Sequence, residues 1–191
     1  MAQLNRPNGF SPRSYLNGAD WNGQARQYYV PASDTSALYI GDLVESLAGA
    51  SDGIVLKQPS IGVPALAKCA AGANPRGVVV GIGTDVVDLS PSYLPATKLK
   101  AYLVYVADDP QLVFEVQGDN AATLAATCVG QFADYTVATP GAGVNGVSAT
   151  VLTTATIAAN AALPLRILGL AGGDFTAYTR FLVSLNLHEL G

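Results

Sequence analysis

Asp108 and Asp109, with Glu115 further along the chain, are the residue types that acid–base or glycosidic chemistry requires. A carboxyl group acting as general acid needs its pKa raised by an apolar pocket or a close like charge. Adjacent acids in Asp108-Asp109-Pro110 read instead as solvated turn formers. A Ser-His-Asp set would have to use His188, the single histidine, yet no G-x-S-x-G elbow occurs; the nearest string is Gly146-Val147-Ser148-Ala149-Thr150. His188 reads as a hydrogen-bonding residue on the outer face of the last strand. A lone histidine also argues against zinc. Asp85 and Asp88, or Asp108 and Asp109, offer oxygens to calcium, but no spaced calcium-loop pattern surrounds them. Cys69 and Cys128 sit in apolar or Ala-rich surroundings without C-x-x-C spacing and read as free, buried small hydrophobes, with a disulfide left open. Gly81 and Gly83 in VVVGIG imitate a dinucleotide fingerprint. The third position is Val86, however, and the following DVVDLSPSYLP carries prolines that forbid the required helix. No catalytic residue, metal or cofactor is expected, and the chain is not read as an enzyme.

The elements that would carry these residues are strands. Residues 101–117 alternate Tyr102, Val104 and Val106 with Leu103 and Tyr105, then Leu112, Phe114 and Val116 with Val113, Glu115 and Gln117. This period-two pattern marks half-buried strands, and the Asp-Asp-Pro step between them predicts a hairpin. Further short strands are expected at 38–47, 54–57, 65–71, 78–82, 136–138, 148–157, 165–170 and 180–187, with turns at 49–53, 72–77 and 140–146. The Gly41-Asp42 step inside 38–47 predicts a bend or bulge, with Asp42 facing solvent or bonding nearby backbone. The Ala-rich segment 118–135 is the one place for a short helix, started by Asp119 or Asn120 and ended by Gly130. The expected fold is all-β, a small barrel or sandwich with one short helix and an extended N-terminal arm. The arm spans 1–37 and the β-rich body 38–191, the latter divisible into a small barrel (38–100) and a sandwich-like part (101–191).

Half of the 191 residues are hydrophobic, ample for a core, while only 13% are charged, about half the roughly 25% of ordinary domains. Such a surface, covered by Ala, Gly, Thr, Ser and Asn, fits a protein whose exterior lies against other proteins; the alternative is a neutral but monomeric β domain. A net charge of −4 without any Lys/Arg cluster argues against nucleic-acid binding. No run is long and apolar enough for a membrane helix, and the N-terminal residues lack the apolar core of a signal peptide. Residues 1–37 hold Pro7, Pro12 and Pro31, three Asn-Gly steps, and Arg6, Phe10, Arg13, Tyr15, Trp21, Arg26, Tyr28 and Tyr29. Interleaved Arg and aromatics are the types that dominate interfaces, so this arm is read as an intersubunit or partner-binding segment. The alternatives are an arm laid over its own domain and a disordered tail.

Several stretches taken in order, NGFSPRSYLNGADWNGQARQYYVP, LYIGDLVESLAG, GANPRGVVVGIG, YLVYVADDPQLVFEVQ, CVGQFADY, GVNGVSATVL, LPLRILGL and FLVSLNLHEL, resemble tailed-bacteriophage head proteins of the decoration, or capsid cement, class. The resemblance covers nearly the whole chain and rests on the order and spacing of weak motifs. It implies a structural virion protein, assembled in the bacterial host cytoplasm, that binds the outer surface of the expanded head and bridges major capsid protein subunits. It further implies a homotrimer at lattice threefold positions, with a dimer as the variant, and neither nucleic acid nor membrane as partner. By position, the eight arm residues named above become the capsid or intersubunit contacts, and deletion of the arm is expected to abolish binding while leaving the body folded. Two other readings stand beside it. One is a carbohydrate- or receptor-binding β module of a head fibre or tail; the other is a hydrolase using Asp108, Asp109 and Glu115.

Overall fold

The computed structural model describes residues 3–47, 64–83, 92–138, 146–172 and 174–190. The strand expected at 54–57, the turn at 49–53, most of the turn at 140–146, and Asp85 and Asp88 lie outside the described residues. The described chain is nearly all β. Its strands are β1 (Ser11–Tyr15), β2 (Arg26–Val30), β3 (Leu38–Tyr39), β4 (Leu43–Ser46), β5 (Leu66–Lys68), β6 (Gly77–Ile82), β7 (Tyr93–Leu94), β8 (Tyr102–Ala107), β9 (Leu112–Gln117), β10 (Phe132–Thr136), β11 (Val151–Ala158), β12 (Leu165–Gly172) and β13 (Arg180–Leu185). They form an antiparallel six-stranded sheet in the order β1-β9-β13-β12-β10-β11, a five-stranded sheet in the order β2-β8-β6-β4-β5, and the small pair β3-β7. No helix among the described residues is long and apolar enough to cross a membrane.

Period-two alternation explains how these sheets pack. On the five-stranded sheet Leu43, Val78 and Ala107 point toward the six-stranded sheet, where they join Leu112, Phe114, Val116, Tyr135, Ile167, Phe181 and Val183. Their chain neighbours Val44, Val79 and Val106 point the other way, into a second cluster with Tyr28, Val30, Leu38, Leu66, Leu94 and Val104. The five-stranded sheet is therefore covered on both faces. Its edges β2 and β5 approach at one bridge, Tyr29 to Ala65, short of closing a barrel. The arrangement is sandwich-like, with the five-stranded sheet curled around the smaller core.

The strands at 102–107 and 112–117 are present, but they are not a hairpin. β8 pairs with β2 and β6, whereas β9 pairs with β1 and β13, so the chain crosses from one sheet to the other through 108–111. The change of sheet falls there rather than near residue 100. The first 37 residues repeat the same move: β1 lies beside β9, β2 beside β8, and 16–25 connects them. Two arches thus stand side by side. The segment is extended, as expected, yet it is woven into both sheets instead of standing off the body.

One local expectation is corrected and another is met, each with a clear cause. The helix expected within 118–135 is reduced to a single 3-10 turn, Ala126–Cys128. The Asp119 carboxylate, expected to cap a helix start, instead accepts from the backbone N–H of Thr154 on β11 at 3.0 Å and from its hydroxyl, as well as from Ala121 N–H. The bend at Gly41-Asp42 is a docking point. Gly9 and Gly41 both have positive φ, and a Cβ on Gly9 would fall 2.4 Å from the Gly41 carbonyl oxygen, so only glycines allow the Phe10 N–H to reach that oxygen at 2.9 Å.

Candidate functional site

Several of the scarce charges are turned inward. Asp42 is fully buried, 2.9 Å from Lys68 Nζ; it accepts from Tyr39 N–H and from the Ser148 and Thr150 hydroxyls. Of the two orientations open to Asp42, the solvent-facing one is thus ruled out. Lys98 Nζ is buried against Asp34, donating to its carboxylate and to the Asp34 and Ser36 carbonyls. Glu115 lies between Arg13 and Arg180, with ion-pair distances of 2.6 and 2.7 Å. Buried charges persist only when paired and fully hydrogen-bonded, and these meet that requirement.

The carboxylates Asp108, Asp109 and Glu115 take up three separate tasks. Asp108 is buried; it accepts the Tyr28 hydroxyl hydrogen bond and lies 3.4 Å from Arg26. Arg76 stacks over the Tyr28 ring and donates to the Tyr28 oxygen at 3.0 Å and to Ser46 Oγ at 2.9 Å. Burial, and secondarily the bond to Asp108, push the Tyr28 phenol pKa up. Asp109 is exposed and pins the turn by accepting from Gln111 N–H. Glu115 belongs to the other sheet.

His188 departs from its expected place. It is buried, because the strand ends at Leu185 and the chain turns beneath, where the Asn186 N–H donates to the Pro164 carbonyl. Its Nδ1 accepts from Leu190 N–H at 2.9 Å, while Nε2 has no partner. Burial drives its pKa down; the nearby charges of Asp108, Arg76, Glu189 and Asp109 oppose one another. Cys69 and Cys128 are both buried and unpaired. Burial pushes the Cys69 thiol up to about 12, and Tyr135 bonds to it across the inter-sheet core. Among the described residues no group of His, Cys, Asp and Glu is placed to hold a metal ion. Gly81 and Gly83 lie in and beside a sheet strand packed against Tyr105 and Leu103.

The eight arm residues divide. Phe10, Tyr28 and Tyr29 are core residues; Phe10 makes edge-on ring contacts with Phe114 and Tyr135 at centroid separations of 6.5 and 6.3 Å. A partner could reach them only if the arch left its sheets, so the sequence assignment of these three to an outside contact is corrected. Tyr15 and Trp21 are half-buried against the same core, and Arg6, Arg13 and Arg26 are exposed. What the sequence reading missed is a scatter of large apolar side chains elsewhere on the surface: Leu4, Leu16, Tyr93, Leu99, Tyr105 and Val129. Leu99, at 94% exposed, and Leu4, at 71%, have almost no cover. Tyr93 stacks on Tyr39 with rings 5.2 Å apart. No family model, curated protein or solved structure matches the chain.

Proposed function

We propose that the chain is a structural protein of a tailed-phage head, which decorates and cements the expanded capsid by binding its outer surface and bridging major capsid subunits. The observation that carries this reading is the placement of charge. Arg13, Arg26, Lys68, Arg76, Lys98 and Arg180 are engaged in ion pairs within the chain, while Leu4, Leu99, Tyr93 and Tyr105 face outward. Removing such an exterior from water is favourable by roughly 25 cal/mol per Å² of apolar area, with few charges to desolvate. Many weak attachments on one lattice reinforce each other through effective concentration. The outer edge of β1 is already bonded by the chain's own 19–21, which disfavours strand addition at that edge.

The interior role of the arch changes the experiment that tests this reading. Deleting 1–37 removes Phe10, Tyr28 and Val30 from the two cores and is expected to unfold the body. The informative variants are therefore on the surface. Purified chain is mixed with expanded heads and co-sedimented. The unaltered protein is expected to saturate the heads at hundreds of copies, and Leu99→Asp with Tyr93→Asp to lose occupancy with unchanged circular dichroism. Full occupancy by that double variant, or no binding by the unaltered chain, would reject the proposal. The resemblance implies a trimer, which sedimentation velocity of the free protein tests directly.

A further inference from the structure

The two arches meet at their tips around a cleft of about 390 Å³, lined by Tyr15, Asn17, Asn22, Gln24, Asp109 and Gln111, with Ala19. Its volume falls in the range of small-ligand sites, but its walls are of a particular kind: four carboxamides, one carboxylate and one phenol, with no cation. Three of the side chains are held in place by bonds to their own loops. Asn17 Oδ1 accepts from Ala19 N–H, Asn22 Oδ1 from Gln24 N–H, and Asp109 Oδ1 from Gln111 N–H. That leaves Asn17 Nδ2, Asn22 Nδ2, Asp109 Oδ2, the Gln24 and Gln111 amides and the Tyr15 hydroxyl without a partner among the described residues.

We infer that this cleft binds a neutral saccharide. A carboxamide offers a donor and an acceptor side by side, and a carboxylate offers two acceptors. These match the paired hydroxyls of a sugar ring, each of which both donates and accepts, and the Tyr15 hydroxyl adds one more such group. Other ligand classes fit worse. Asp109 repels phosphates, sulfates and acidic sugars, and no Lys or Arg lines the cleft to attract them. Among the described residues no group of three or more His, Cys, Asp or Glu is placed to hold a metal ion there. An extended peptide needs an open strand edge, and the edge of β1 facing 19–21 is occupied, with Tyr15 N–H bonded to Ala19 O and Trp21 N–H to Arg13 O. Apart from Tyr15, which the resemblance also names as a capsid or intersubunit contact, the residues lining the cleft are not among those assigned to capsid binding.

Trp21, the single tryptophan, donates its indole N–H to the Gln24 carbonyl at 3.2 Å and so reports on the cleft. The full chain is titrated with glucose, galactose, mannose, N-acetylglucosamine and their β-linked disaccharides, with Trp21 fluorescence and saturation-transfer NMR as readouts. At least one neutral sugar is expected to bind in the millimolar range, and N-acetylneuraminic acid at least about tenfold more weakly. Gln24→Ala and Gln111→Ala, whose side chains support no other part of the fold, are each expected to weaken the best sugar about fivefold to tenfold. Asp109→Asn, which keeps the turn-pinning oxygen, weakens it as much and removes the discrimination against the acidic sugar. Absence of transfer from every neutral sugar, equal binding of the acidic one, or affinity unchanged in all three variants would overturn the assignment.

Discussion

The five-stranded sheet presents two faces to two unlike interiors. Toward the six-stranded sheet it meets a mixed interior, in which the rings of Phe10, Phe114, Tyr135 and Phe181 and both cysteines stand among Leu112, Val116, Leu152, Leu165, Ile167 and Val183. Inside its own curl it meets Val30, Val44, Val79, Val104, Val106, Leu38, Leu66 and Leu94, with Tyr28 the buried aromatic and Tyr102 packed partly against them. Two facing sheets stand about 10 Å apart and need long side chains to bridge them, whereas a tightly curled sheet leaves room only for short branched ones. Most of the buried rings thus lie in the gap between the sheets, among strands that the sequence writes as plain apolar runs.

Asp42 sits where the two interiors adjoin, since Leu43 faces one and Val44 the other. Asp42→Ala leaves buried Lys68 and two hydroxyls without their acceptor and is expected to cost about 3–5 kcal/mol, with amide exchange accelerating in both sheets. Acceleration confined to one sheet would show that the seam does not couple them. Phe114→Ala should cost about 3–5 kcal/mol and Leu94→Ala about 2–3, by urea denaturation. Their double variant should cost the sum within about 0.5 kcal/mol, and a larger departure would mean that the two interiors relax together. A reversed order would mean that the curled core, not the aromatic one, dominates stability.

A smaller effect comes from His188. Its folded-state pKa is depressed below 6.5 by burial, so the unfolded chain takes up the proton first. Its contribution is complete above that value and is lost as pH falls from 6.5 through the lower folded-state pKa, with a slope of at most about 1.4 kcal/mol per pH unit. His188→Gln should flatten the stability curve just below pH 6.5; an unchanged slope would assign that region to other groups. Smallest is Arg13→Ala. Its side chain is half-exposed and Glu115 keeps Arg180, so thermal melting should register less than about 1 kcal/mol.

The strands were legible because alternation maps directly onto faces, and 78–82, 102–107, 112–117 and 180–185 all fell where the pattern put them. Pairing was not legible. Two alternating strands joined by Asp-Asp-Pro look the same whether they bond to each other or to different sheets. The fate of Phe10 was hidden for a related reason: its ring partners, Phe114 and Tyr135, lie over a hundred residues away. The 118–135 segment has the composition of a helix, and only its distant partner Thr154 decides otherwise. His188 was misplaced by extending the alternation of β13 past Leu185, where the strand stops. The cleft at the arch tips had a visible trace in the Asn-Gly steps at 17 and 22, which mark turns without saying that the turns converge.

The side-by-side arches also set a timetable. A ribosome delivers residues 11–30 first, yet the strands they pair with, at 102–107 and 112–117, follow only several seconds later at ordinary elongation rates. Until then the early segment has aromatic side chains and no sheet to hold them. The five-stranded sheet lacks β8 until that stretch arrives, and β9 joins the rest of the six-stranded sheet only through β13 near the chain's end, so folding should wait for most of the chain and then proceed slowly, as topologies dominated by distant pairings do.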